Sequence, residues 1–164
     1  ALHELRTQII SPMTDELKTD KEEDADELFQ QHIEAQCKRL RTLGFTGTPI
    51  IRGNLSAMDK SLLPPLQTVC TEILNNIAKH GKPGAFAFIL SVGPDAVRIF
   101  ASNLYNAAIN SAPENHYGTA LIQDFAQQHN GTMTINSENE EWSLSLTIPL
   151  AHQVKLMFSP TEKL

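Results

Sequence analysis

Glu72-Ile73-Leu74-Asn75-Asn76-Ile77-Ala78-Lys79-His80-Gly81 is the stretch on which the reading of this chain turns. Glu72, Asn76, Lys79 and His80 stand at i, i+4, i+7 and i+8. On a helix that spacing gathers a carboxylate, an amide, a cation and an imidazole into one sector of about 100°. Leu62, Leu66, Val69, Ile73 and Ile77 recur every three or four positions and form an adjoining apolar stripe. Pro64 and Pro65 suit the first turn of such a helix, and Gly81 suits its end, where Lys79 and His80 complement the negative pole. One helix thus packs on a core and carries polar groups along the rim of a cleft. Asparagine offers a neutral, hard oxygen suited to Mg²⁺ whose other ligands are phosphates and waters. A carboxylate one turn earlier is placed to polarise a water or an incoming nucleophile. A solvated helix face carries the same residue types, so the segments on either side decide between the two readings.

Upstream, Phe29, Ile33, Cys37 and Leu40 predict a helix over 24–43, stopped by Gly44. Thr46–Gly53, with Ile50 and Ile51 after Pro49, reads as a strand. Downstream, Ala85–Val92 and Ala96–Ala101 read as two strands joined at Gly93-Pro94-Asp95. The stretch from Asn103 to Tyr117 lacks periodicity and reads as a long loop, a class that is usually functional or disordered. A helix follows from Gly118 to about Asn130-Gly131, carrying Leu121, Ile122 and Phe125. Thr132–Asn136 and Trp142–Ile148 then alternate as two antiparallel strands. This order predicts an α/β two-layer sandwich: a mixed, mostly antiparallel sheet with helices on one face.

The chain has 164 residues, 41% hydrophobic and 20% charged, which suits one soluble domain with a real core. A net charge of −6 leaves no basic stripe to release counterions, which argues against nucleic acid as a partner. No apolar run approaches membrane-spanning length. Cys37 and Cys70 fall on separate predicted helices without metal-ligand spacing and read as buried, reduced thiols. His32, His116, His129 and His152 lack paired ligand spacing, which argues against zinc. The acidic run from Thr14 to Glu27 reads as a solvated linker after a short amphipathic segment with Leu2, Leu5, Ile9 and Ile10. The expected organisation is 1–27 for that segment and linker, 28–152 for the domain and 153–164 for a tail.

Glu72-x-x-x-Asn76-x-x-Lys79-His80 resembles the N-box of the ATP-binding domain of sensor histidine kinases, in the Bergerat-type ATPase superfamily. The resemblance is to the class paired with helix-turn-helix response regulators. It implies that Asn76 ligates Mg²⁺, that Lys79 and His80 contact phosphates, and that Glu72 orients or deprotonates the accepting histidine. The family's Asp-x-Gly-x-Gly corresponds to Asn103 and its neighbours, with Asn103 where the adenine-binding Asp would stand and neither glycine present. Gly118-Thr119-Ala120-Leu121 resembles the family's Gly-x-Gly-Leu, whose backbone N–H groups hold phosphate at a helix start, with Ala120 in place of the second glycine. If that position needs a positive φ, alanine costs about 1 kcal/mol; if it is helical, alanine is harmless. Trp142 to Leu150, ending in Ile148-Pro149, resembles the closing strand.

The resemblance spans about 40–150 and implies ATP and Mg²⁺ as ligands. It further implies a response regulator as partner through a separate phosphoacceptor domain and a cytoplasmic location in a membrane-attached, homodimeric parent, the piece alone being monomeric. His3-Glu4-Leu5-Arg6 looks like a phosphoacceptor box, but Pro12 and the acidic run leave no room for a long helical hairpin. Leu2-His3-Glu4-Leu5-Arg6 is read instead as the end of the hairpin's second helix. Two other readings stay open: a degenerate, non-catalytic module of the same fold, motivated by Asn103 and Ala120, and an anti-sigma-type serine kinase, motivated by His80-Gly81.

Overall fold

The helical periodicity that begins in the acidic run is realised as α1, a helix over 24–42, in the computed structural model, which describes residues 24–105 and 117–150. Phe29, Ile33, Cys37 and Leu40 all point inward and are buried. Gly44 ends the helix with φ +98°, a conformation open to glycine at little cost. Its N–H donates to Arg41 O (3.1 Å) and the Phe45 N–H donates to Leu40 O (3.1 Å). These two bonds form a Schellman cap, sealed by the buried pair Phe45 and Leu40. Expectations for 1–23, including most of the acidic linker, for 106–116 of the long loop and for 151–164 lie outside the described residues.

After the cap the chain makes one bridge, Thr46 to Ala85, before β1 (Pro49–Gly53) begins. The strand is therefore shorter than the expected Thr46–Gly53. Two short 3₁₀ turns follow, Leu55–Ala57 and Lys60–Leu62, each opened by a side-chain cap. The Asn54 oxygen accepts from Ser56 N–H and the Asp59 oxygen from Ser61 N–H, both at 3.0 Å. Ser56 Oγ also donates to Asp26, pinning α1 beside the end of β1.

Helix α2 (Leu63–His80) carries Pro64 and Pro65 in its first turn, where missing N–H groups cost nothing. Leu66, Val69, Cys70, Ile73, Leu74 and Ile77 form its buried stripe, as the periodicity predicts. It ends at Gly81 as expected, with Lys79 and His80 in its last turn. Gly81 is extended (φ −76°, ψ 157°) rather than left-handed, and it becomes the first residue of β2 (Gly81–Val92) while its N–H still bonds Ile77 O. Glycine is required here by crowding. A Cβ would fall inside contact distance of Ile77 O and Asn103 Nδ2, and 3.0 Å from Phe45 Cε1.

Strand β3 (Ala96–Tyr105) runs four residues past its expected end. Alternation hides this extension, because Ser102 and Asn103 are polar residues that remain paired to Ala87 and Phe86 on one side and Ser143 and Trp142 on the other. After 106–116, which is not described, α3 (Tyr117–Gln128) leads through Asn130 (φ 57°) and Gly131 into β4 (Thr132–Glu138) and β5 (Glu141–Pro149). The sheet order is β1-β2-β3-β5-β4, with β1 parallel to β2 and every other pair antiparallel. The crossover needed by the parallel pair is α2.

Phe86, Phe88, Leu90 and Val92, then Val97, Ile99 and Ala101, then Trp142, Leu144, Leu146 and Ile148 face the helices and close a single core. The predicted α/β two-layer sandwich is observed: among the described residues helices cover one face of the sheet and none covers the other. Cys37 and Cys70 are both free and fully buried. Burial pushes the Cys37 thiol up to about 12, with Glu34 adding to the effect, and pushes Cys70 higher still.

Candidate functional site

Residues 72–80 occupy the C-terminal half of α2, so the predicted polar sector is on a helix. Glu72, Asn76 and His80 are half-buried and Lys79 is exposed. Two adjacent asparagines divide the work. Arg39 of α1 donates to Asn75 Oδ1 at 3.4 Å, while His32 Nε2 on the same helix pairs with Thr71 Oγ1 at 2.8 Å. The Thr71 hydroxyl gives its own proton to Gln67 O, so the imidazole N–H is the donor in that pair. Thr71 and Asn75 therefore belong to the seam between α1 and α2.

Asn76 lies about 100° further round the helix and away from that seam. Its Nδ2 is buried and has no hydrogen-bond partner among the described residues. A buried, unanswered amide donor costs about 1–3 kcal/mol. Native folds leave few such groups, and those they leave commonly await a ligand, ion or water.

Asn103 lies in β3 on the helix side of the sheet, only 5% exposed, opposite Phe86 and Trp142. It is set against Gly81, the residue that follows the α2 polar sector. Its Nδ2 donates to the Leu104 carbonyl at 2.8 Å. The asparagine is therefore an internal strand residue and not a strand-ending turn residue, with one of its two amide N–H donors held by the neighbouring carbonyl.

Gly118, Thr119, Ala120 and Leu121 all fall in the first turns of α3. This resolves the alanine question left by the sequence: position 120 is helical and exposed, so Ala120 is tolerated there. A groove of about 580 Å³ runs between the helices, lined by Pro65, Thr68 and Val69 of α2 and by Ala120, Leu121, Asp124, Phe125 and Gln128 of α3. Glu72 and Asn76 do not line it; they continue the Thr68–Val69 side of α2 by one and two turns. Sequence reasoning missed this groove and the Phe45–Gly81–Asn103 contact. Both arise from residues far apart in the chain, and only the i, i+4 step from Thr68 to Glu72 hinted at the first.

No protein-family model matches the chain, and no curated protein matches it. Solved structures do. The fold is that of histidine kinase catalytic domains. The nucleotide-free catalytic domain of histidine kinase ThkA superposes with a TM-score of 0.57 at 12% identity, covering 76% of this chain and 93% of that one. The Acinetobacter baumannii histidine kinase AdeS gives 0.58 at 11% identity, over 88% of this chain and 80% of that one. Full-length ShkA, solved in complex with AMPPNP, gives 0.55 at 13% identity over 76% of this chain and 29% of that one. No helix among the described residues is long and apolar enough to cross a membrane.

Proposed function

We propose that this chain is the ATP-binding catalytic domain of a two-component sensor histidine kinase, binding Mg-ATP for phosphoryl transfer to a histidine on a separate dimerisation domain. The observation that carries the reading is the unanswered Asn76 Nδ2, in a fold shared with histidine kinase catalytic domains and with full-length ShkA, which was solved with AMPPNP. The donor set fits a magnesium nucleotide. The unpartnered Nδ2 is an N–H donor and would give a hydrogen bond to a phosphate oxygen, while Oδ1 of the same amide would join phosphate and water around Mg²⁺. When bound, the cation would neutralise phosphate charge as it develops.

The remaining chemistry belongs to the chain's own side chains. Lys79 is an exposed cation on the last turn of α2, suited to holding phosphate oxygens, with His80 beside it. The first turn of α3, Gly118 to Leu121, offers backbone N–H groups at the positive pole of a helix. The Asn103 carbonyl oxygen is the acceptor suited to a purine amino group. Glu72, one turn before Asn76, would orient the accepting imidazole and take its proton. Phosphoryl transfer asks the protein for little beyond such positioning and electrostatics. A response regulator would be the downstream partner through the phosphoacceptor domain.

One observation favours a second reading. Asn103 is 5% exposed, with its amide committed to Leu104 and its flank against Gly81, which suits a domain that keeps this fold without a nucleotide. Calorimetry with ADP and Mg²⁺ on the wild type and on Asn76→Ala separates the two. Heat of binding in the wild type and its loss in the variant support the kinase reading. No heat in either at millimolar nucleotide leaves the non-catalytic module.

A further inference from the structure

The open face of the sheet is divided into three zones that strand register defines. Ile50, Ile89, Phe100, Ser145 and Thr134 are cross-strand neighbours and form one continuous row over all five strands. On its β1–β2–β3 half this row is apolar, and Leu104 lies four residues further along β3 on the same face, beyond Ser102. Ile50, Phe100 and Leu104 are 40%, 39% and 40% exposed on a face that no helix among the described residues covers. The next row, Arg52, Ser91, Arg98, Thr147 and Thr132, places two exposed arginines two strands apart. That spacing is about 10 Å, and neither arginine has an ion-pair partner among the described residues. At the far corner Glu138 and Glu141 pair with each other, and Glu141 also lies opposite Leu104. The face is therefore basic beside the end of β1, apolar across its middle and acidic at the opposite corner.

The chain outside the described residues complements this pattern. Residues 14–23 carry Asp15, Glu16, Asp20, Glu22 and Glu23 against Lys18 and Lys21 and so remain net acidic, and residues 2–10 carry Leu2, Leu5, Ile9 and Ile10. The acidic run leads into α1, whose Asp26 bonds Ser56, four residues after Arg52. Ten extended residues reach about 33 Å. Because β1 is an edge strand, the path from the α1 end round to the open face meets no neighbouring strand.

We propose that the open sheet face is a docking surface for the chain's own residues 1–23, the acidic run lying across Arg52 and Arg98 and the apolar side chains of 2–10 covering Ile50, Ile89, Phe100 and Leu104. Such docking would cover the apolar row. The inference is independent of the nucleotide reading, since no residue of the α2 sector takes part.

The buried thiols make a clean test possible. Gln8→Cys in the full chain supplies an accessible thiol for a nitroxide label, while Cys37 and Cys70 stay shielded. The expected result is loss of amide signal intensity at Ile50, Ile89 and Phe100 when the label is paramagnetic, and its recovery after reduction. Arg52→Glu with Arg98→Glu should abolish the loss, as should about 1 M salt, where the screening length falls to about 3 Å. Both arginines are exposed, so the variant is expected to fold, which its unchanged core amide shifts would verify. Attenuation confined to the α2–α3 groove, attenuation that survives charge reversal, or none above the random-coil level overturns the proposal.

Discussion

Replacing Asn76 with leucine tests the candidate site through two quantities with opposite expected signs. Asn76 Nδ2 is buried without a partner among the described residues. That arrangement costs about 1–3 kcal/mol, and an apolar group of similar shape removes the cost. The ligand-free Asn76→Leu protein is therefore expected to be at least as stable as the wild type, with a gain of about 1 kcal/mol. For a domain of this size 1 kcal/mol corresponds to about 2–4 °C in Tm. On the proposed function, nucleotide should reverse the ranking. At one hundred times Kd, Mg-ADP should stabilise the wild type by about 2.7 kcal/mol. This is about 5–10 °C on the same scale. The variant should show almost no shift. Scanning calorimetry on both proteins, with and without ADP and Mg²⁺, measures all four values. A ligand-free variant several degrees less stable than the wild type, with an undiminished nucleotide shift, would refute the assignment of Asn76.

Three further outcomes follow from the geometry. Gly81→Ala should lower stability by about 1–3 kcal/mol in urea denaturation, because its Cβ must displace the Ile77 carbonyl or the Asn103 amide; an unchanged midpoint would show that the α2–β2 junction is looser than described. Glu140 holds φ 63° beside Asn139 at 53° in the two-residue β4–β5 turn, so Glu140→Gly should add about 0.5–1 kcal/mol, measured the same way. The folded thiols ionise above their ordinary value of 9.0, Cys37 at about 12. Their contribution is complete below pH 9 and is lost as pH rises through the folded values, because the unfolded chain releases protons first. At pH 10 the loss should be about 1.4 kcal/mol per thiol relative to neutral pH. A double Cys37→Ala, Cys70→Ala variant should show a correspondingly flatter alkaline limb.

The sequence by itself determined the elements and their order. Apolar residues at 29, 33, 37 and 40 and at 66, 69, 73 and 77 could lie on one side only of a helix, and Gly44 had to end the first. Alternation in 86–92 and 142–148 likewise required strands with one buried face. Because local periodicity and turn chemistry act over a few residues, they are legible without the fold. The grouping of Glu72, Asn76, Lys79 and His80 was legible for the same reason. What Gly81 does was not, since its neighbours Asn103 and Phe45 come from other parts of the chain. The length of β3 was hidden as well: Ser102 and Asn103 are poor strand formers held in place by partners on both sides. The unanswered amide of Asn76, the α2–α3 groove and the row from Ile50 to Thr134 exist only where separate elements meet. Contacts between residues distant in sequence depend on packing and strand register, and only the tertiary structure sets those.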